Sequence, residues 1–134
     1  MNLPVFGEKP VILAVDDNLD NLVLLQYQLE GTVESTIVTA TTGNSAFLMA
    51  MRMQPSLILL DVLLPDMNGV EVVRRLRHCP LTAAIPIIAV TALARGEDRD
   101  RILAAGFDAY LSKPYDVDDL EALVTRHLPQ RCLL

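Results

Sequence analysis

The sequence predicts an α/β domain whose five-stranded parallel sheet is covered by helices on both faces. Three observations carry that expectation. Short apolar runs rich in branched residues alternate along the chain with segments whose apolar residues recur at helical spacing. Three of the runs, Val11 to Val15, Leu57 to Leu60 and Ile87 to Val90, are apolar at every position, as strands buried on both sides must be. Each of these, and the run Ala109 to Ser112, stops at a residue suited to phosphoryl chemistry: Asp16-Asp17, Asp61, Thr91 and Lys113. In a parallel sheet those residues meet along one edge, because the carboxyl ends of the strands lie together.

The elements follow in order. After the first run, Asn18 is placed to cap a helix that carries Leu22, Leu25 and Leu29 on one face and ends at Gly31. Glu34 to Thr39 reads as a strand with β-branched residues. Thr41 or Thr42 then caps a second helix burying Ala46, Phe47 and Ala50, which stops before Pro55. The third strand ends at Asp61. Pro65 and Asn68-Gly69 mark a loop before a third helix, Val70 to His78, with Val72, Val73 and Leu76 inward and Pro80 beyond its end. The fourth strand is Pro86 to Val90, followed by a loop and a charged helix from about Glu97 to Ala105 that Gly106 terminates. Asp108 to Ser112 is a brief fifth strand. Asp116 is expected to cap the last helix, whose core positions are Val117, Leu120, Leu123, Val124 and Leu128 before Pro129.

Strand-helix-strand crossovers are right-handed, which places helices above and below the sheet. The second strand is rich in Thr and Ser and the fifth is short, so these two belong at the edges. The expected order is therefore 2-1-3-4-5, a flavodoxin-like three-layer sandwich whose switch point lies between strands one and three, beside Asp16, Asp17 and Asp61.

The chain has 134 residues, 51% hydrophobic and 21% charged, which suits one domain spanning 1–134 with a core of about 11–128 and short tails. With 11 Lys+Arg against 17 Asp+Glu the net charge is -6, and no basic stretch is long enough to track a nucleic-acid backbone. Arg74, Arg75 and Arg77 are too few for such a groove. No apolar run reaches the length of a membrane span, and the first ten residues lack the pattern of a signal peptide, so a cytoplasmic location without membrane contact is expected. Cys79 and Cys132 have no metal or redox spacing and read as free thiols. The run Glu97 to Arg101 reads as a solvated helix face, Met49, Met51 and Met53 as packing and surface variation, and His78 and His127 as ordinary helix-end residues where a cation would suit the dipole.

Three carboxylates at neighbouring strand ends repel: two unit charges about 4 Å apart cost on the order of 4 kcal/mol at an effective dielectric near 20. Gathering Asp16, Asp17 and Asp61 calls for a cation, and hard oxygen ligands favour Mg²⁺ or Mn²⁺ over zinc. The plainer alternative is that Asp16 and Asp17 cap the first helix and Asp61 begins a turn. Thr91 and Lys113 at two further strand ends favour the site.

The set Asp16-Asp17, Asp61 followed by Val62-Leu63-Leu64-Pro65-Asp66-Met67-Asn68-Gly69, Thr91-Ala92 and Lys113-Pro114 resembles the receiver domain of two-component response regulators, from about Val11 to Leu128. The resemblance implies that Asp61 accepts a phosphoryl group from the phosphohistidine of a histidine kinase or phosphotransfer protein. It implies that Asp17, Asp61 and the Leu63 backbone carbonyl hold Mg²⁺, with Asp16 helping directly or through water. Thr91 and Lys113 would each contact a phosphoryl oxygen, and the Lys113-Pro114 bond would be cis. Tyr110 matches the family's switch aromatic, the alternative being an ordinary amphipathic edge residue. The fourth helix, fifth strand and fifth helix would form the surface that reads out to a downstream protein partner, as a monomer or a phosphorylation-dependent dimer.

Leu63 and Leu93 stand where many relatives of that family carry polar side chains that influence the attacking water, which implies a comparatively long-lived phosphorylated state. Leu64 in place of the commoner Met is a mild packing change. Two other functions compete. A Mg²⁺-dependent aspartyl-nucleophile phosphatase needs a second Asp two residues after the nucleophile, where Leu63 stands. Flavin binding needs a phosphate loop after the first strand, where Asp16-Asp17-Asn18 would repel the phosphate.

Overall fold

The computed structural model describes residues 9–31, 33–92 and 96–128. The elements alternate without exception: β1 (Val11–Val15), α1 (Leu19–Glu30), β2 (Thr36–Ala40), α2 (Gly43–Met53), β3 (Leu57–Leu60), α3 (Gly69–His78), β4 (Ile87–Thr91), α4 (Gly96–Ala105), β5 (Ala109–Ser112) and α5 (Val117–His127). All strand pairings are parallel, and the order is β2-β1-β3-β4-β5, the flavodoxin-like arrangement.

Strand alternation divides the interior in two. Leu13, Val15, Ile58, Leu60, Ile87 and Ala89 face α2, α3 and α4, meeting Ala46, Ala50, Val72, Val73, Leu76 and Ile102. Ile12, Ala14, Leu57, Leu59, Ile88 and Val90 face α1 and α5, meeting Leu22, Leu25, Leu29, Leu120 and Val124. Because β1, β3 and β4 are covered on both sides, their side chains are almost wholly buried, and each large one contributes roughly 1.5–3 kcal/mol. The edge strands β2 and β5 keep partly exposed positions, as their composition predicts.

Helix starts follow their caps. Asn18 and Asn68 accept from backbone amides at the starts of α1 and α3, and Thr42, rather than Thr41, forms a capping box with Ser45. Two expectations need correction. Asp116 stands at the start of α5 but its side chain makes no cap bond, and Val117 is 38% exposed rather than core. Gly31 ends α1 as expected, in a right-handed conformation, while a left-handed cap occurs at Gln54, with φ of 45°, where Pro55 prevents α2 from continuing.

Arg77, expected only as part of a small basic cluster, has a structural role. Its guanidinium donates to the carbonyls of Ala83, Ile85 and Gly106 and to Asp108 Oδ2, joining α3 to the approach to β4 and to the turn between α4 and β5. Cys79 is a free, partly buried thiol, while Leu93, Pro129 and Cys132 lie outside the described residues. Among the described residues, no helix is long and apolar enough to cross a membrane.

Candidate functional site

Backbone ladders that run one residue past the named strands set the site. The Asp16 amide donates to Ala40 at 3.2 Å, the Asp61 amide to Val15 at 3.0 Å and the Lys113 amide to Thr91 at 2.9 Å. Each polar residue is thereby held at the carboxyl end of its strand, Asp16 and Asp61 after the buried β1 and β3 and Lys113 after the edge strand β5. Asp16, Asp17 and Asp61 each offer a carboxylate oxygen, and these atoms lie within 4.8 Å of one another. Asp16 and Asp61 are buried and Asp17 is exposed. The donors are hard oxygens at a spacing one cation can span, so the cluster can hold a metal ion.

Lys113 reaches across the sheet edge. Its Nζ lies 2.6 Å from Asp16 Oδ2 and 3.0 Å from Asp61 Oδ2. Burial by itself would lower the ammonium's pKa, but hydrogen bonds to Asp16 and Asp61 and the charge of both carboxylates outweigh it and hold the pKa above the usual lysine value. The ammonium stays charged throughout the neutral range. The Lys113-Pro114 bond is cis. Beyond it, Tyr115 donates to Gln28 Oε1 at 2.9 Å, tying the segment after β5 to α1 beside a cavity of about 280 Å³ whose walls include Asp16, Asn21 and Lys113.

The loop after β3 is shaped by close contacts. Asp61 Oδ1 accepts from the Leu63 amide at 2.9 Å, so the carboxylate orders the backbone that follows it. The Gly69 amide donates to Val62 at 2.8 Å, and a Cβ on Gly69 would come within 2.8 Å of the Asp61 carbonyl oxygen; only glycine lets α3 begin so near the strand end. Farther out, Asp66 accepts from the Gly43 amide at 2.7 Å and the Asn44 amide at 3.0 Å, completing the N-terminus of α2 from the loop. Its pKa is held below the usual carboxylate range by the Gly43 bond and then the Asn44 bond.

Thr91 is fully buried and pairs in register with Ser112. Tyr110 is partly buried against the α2–α4 side of the core, and its hydroxyl is buried with no hydrogen-bond partner among the described residues. The Leu63 side chain is 51% exposed. Asp16, Asp61 and Lys113 are thus in direct contact, Asp17 completes the acidic cluster, and Thr91 and Tyr110 occupy β4 and β5 beside them. Two side chains in this neighbourhood escaped the sequence reading: Asp66, read only as part of the loop, and Asn21, whose Nδ2 donates to Asp16 Oδ2 at 3.3 Å. An amide one turn inside a helix that begins just after an acidic pair is the signal that could have found Asn21.

Residues 12–125 match the family described as the response regulator receiver domain. The chain belongs to that family. It is a receiver domain of two-component signalling. The receiver domain is 42% identical over 117 residues to an uncharacterized 14.6 kDa protein of Leptolyngbya boryana from the sodA1 3′ region, covering 87% of this chain and 88% of that protein. It is 35% identical over 130 residues to the signal transduction histidine-protein kinase BarA of Escherichia coli, covering 95% of this chain but 14% of the kinase. Against the DNA-binding regulator RpaA of Synechocystis it is 36% identical, over 86% of this chain and 47% of the regulator. The chain therefore spans only a fraction of several relatives that it matches. Among solved structures, the receiver domain of the sensor histidine kinase PA1611 of Pseudomonas aeruginosa, with magnesium coordinated in its active-site cleft, aligns with a TM-score of 0.82 and 31% identity over 90% of this chain and 98% of that one. The chemotaxis response regulator CheY4 of Vibrio cholerae aligns with a TM-score of 0.83 and 26% identity over 90% of this chain and all of that one.

Proposed function

We propose that this receiver domain takes a phosphoryl group onto Asp61 from the phosphohistidine of a histidine kinase or phosphotransfer protein. The observation that carries the reading is the shared ammonium: Lys113 touches Asp61 and Asp16 together, so a positive charge already stands beside the place where phosphoryl oxygens would arrive. An Asp61 carboxylate oxygen attacks phosphorus, the phosphorus–nitrogen bond to the partner's imidazole breaks, and the product is an aspartyl phosphate. Such transfers pass through a loose transition state, so alignment and neutralisation of oxygen charge do most of the catalysis. Lys113 pairs with one phosphoryl oxygen and Thr91 donates to another. Asp17, Asp61 and the Leu63 carbonyl, with Asp16 assisting, would hold a Mg²⁺ or Mn²⁺ ion, which would supply further neutralisation.

The protein acts on itself and is not an enzyme with an external substrate. Phosphorylation changes one negative charge at position 61 into nearly two and draws Thr91 toward the new oxygens. Tyr110, whose hydroxyl has no partner among the described residues, follows into the space Thr91 leaves, and the face of α4, β5 and α5 changes toward a downstream protein partner. That face also serves any phosphorylation-dependent dimer of a chain that is otherwise monomeric. The phosphatase alternative is disfavoured because an apolar Leu63 occupies the position of the required acid. The cytoplasm is the compartment this reading requires.

The test is incubation of the chain with acetyl phosphate and Mg²⁺ followed by intact mass. One phosphate per chain, lost in Asp61→Asn, supports the switch; continued turnover of phosphate esters would favour the phosphatase.

A further inference from the structure

We propose that Asn21 is a positioning residue for Asp16, holding that carboxylate in place for the metal. The proposal rests on the reading of Asp16 as part of the metal site. Asp16 is 6% exposed, and both of its oxygens are engaged. Oδ1 accepts from the Asn18 amide at 2.9 Å, while Oδ2 accepts from Lys113 at 2.6 Å and from Asn21 Nδ2 at 3.3 Å. The Asn21 amide can be oriented only this way, since the reverse would set its carbonyl oxygen against a carboxylate oxygen.

The three donors differ in what the reaction does to them. Lys113 is shared with Asp61 and must turn toward an incoming phosphoryl oxygen, so its hold on Asp16 weakens as the group arrives. The Asn18 amide and the Asn21 side chain are not shared with Asp61, and the backbone of Asn21 is held at the start of α1, where the Asn18 side chain accepts from the Asn21 backbone amide at 3.1 Å. One such donor per oxygen sets the plane of the Asp16 carboxylate independently of Lys113. Asn21 is also neutral. It orients Asp16 without cancelling the charge that attracts a divalent cation, as a lysine or arginine there would.

The experiment measures Mg²⁺ affinity by calorimetry on the full chain, without phosphodonor, for wild type, Asn21→Leu, Asn21→Ala and Asp16→Ala. Leucine keeps the branched heavy-atom skeleton of asparagine, and both replacements are stronger helix formers that leave the backbone bond to Asn18 intact, so α1 does not weaken. The expected result is Mg²⁺ binding weakened about fivefold in both Asn21 variants, with an unchanged melting temperature in chelator, the scale expected when a ligand's supporting hydrogen bond is removed. Affinity within twofold of wild type in the Asn21 variants, while Asp16→Ala binds more weakly, would overturn the positioning role and leave the proposed function standing. If Asp16→Ala also binds Mg²⁺ normally, the assignment of Asp16 to the metal site falls together with the role of Asn21.

Discussion

The Lys113 ammonium lies 3.0 Å from Asp61 Oδ2 and closer still to Asp16, so a single cation bridges the ends of β1 and β3. A metal ion held in the same cluster would neutralise the same carboxylates. The two cations would therefore substitute for one another electrostatically. Lys113→Met should lower stability in chelator by on the order of 1–2 kcal/mol, because two buried carboxylates then face each other uncompensated. Mg²⁺ should raise the melting temperature of the variant by more than it raises that of wild type. An equal or smaller Mg²⁺ shift in thermal unfolding would contradict this competition.

Tyr110 offers a test of the opposite sign. Its hydroxyl is buried without a partner among the described residues, and such a group costs about 1–3 kcal/mol of desolvation. Tyr110→Phe removes that oxygen and keeps the ring, so the unphosphorylated protein should become more stable, by about 1 kcal/mol, in urea unfolding. A loss of stability would mean that the hydroxyl is satisfied.

Acid should release the loop after β3 late. The bonds from Gly43 and Asn44 hold the Asp66 pKa below the usual carboxylate value of about 4. A group whose folded pKa is depressed contributes its stability above the unfolded value and loses it as pH falls through the folded one. The attachment of Asp66 to α2 should thus be complete at neutral pH and fail only below about pH 4. An NMR titration should show the Gly43 and Asn44 amides shifting together with the Asp66 carboxyl; amides that shift near neutral pH would refute the assignment.

Leu63 bears on the lifetime of the phosphorylated form. It offers no polar group to a water approaching the phosphoryl group, so the aspartyl phosphate should persist after desalting into Mg²⁺. Leu63→Asn should shorten its life roughly tenfold or more by supplying a water-orienting amide. Rapid loss from wild type, no slower than from the variant, would remove Leu63 from the account.

Much of this arrangement was legible in sequence because it rests on local signals. The apolar runs that predict β1, β3 and β4 are buried on both faces, and the residues that end them are the ones the sheet edge brings together. Asn18, Thr42 and Asn68 cap their helices because capping needs only a side chain and an amide two or three residues on. What escaped depends on partners distant in sequence or on a competing local preference. Asp66 meets α2 some 22 residues away, Arg77 meets Gly106 across 29, and no pattern along the chain announces either. Val117 has helical spacing to Leu120 and Val124, but its place at the first turn of α5 turns it toward solvent.

The side chain at position 61 is the group expected to carry the phosphate. This is tested most directly by treating the chain with acetyl phosphate and Mg²⁺, reducing the product with borohydride and locating the modified residue by peptide mass spectrometry. Homoserine is expected at position 61 alone, formed by reduction of the aspartyl phosphate and absent without Mg²⁺. An unmodified Asp61 in a chain phosphorylated elsewhere would contradict it.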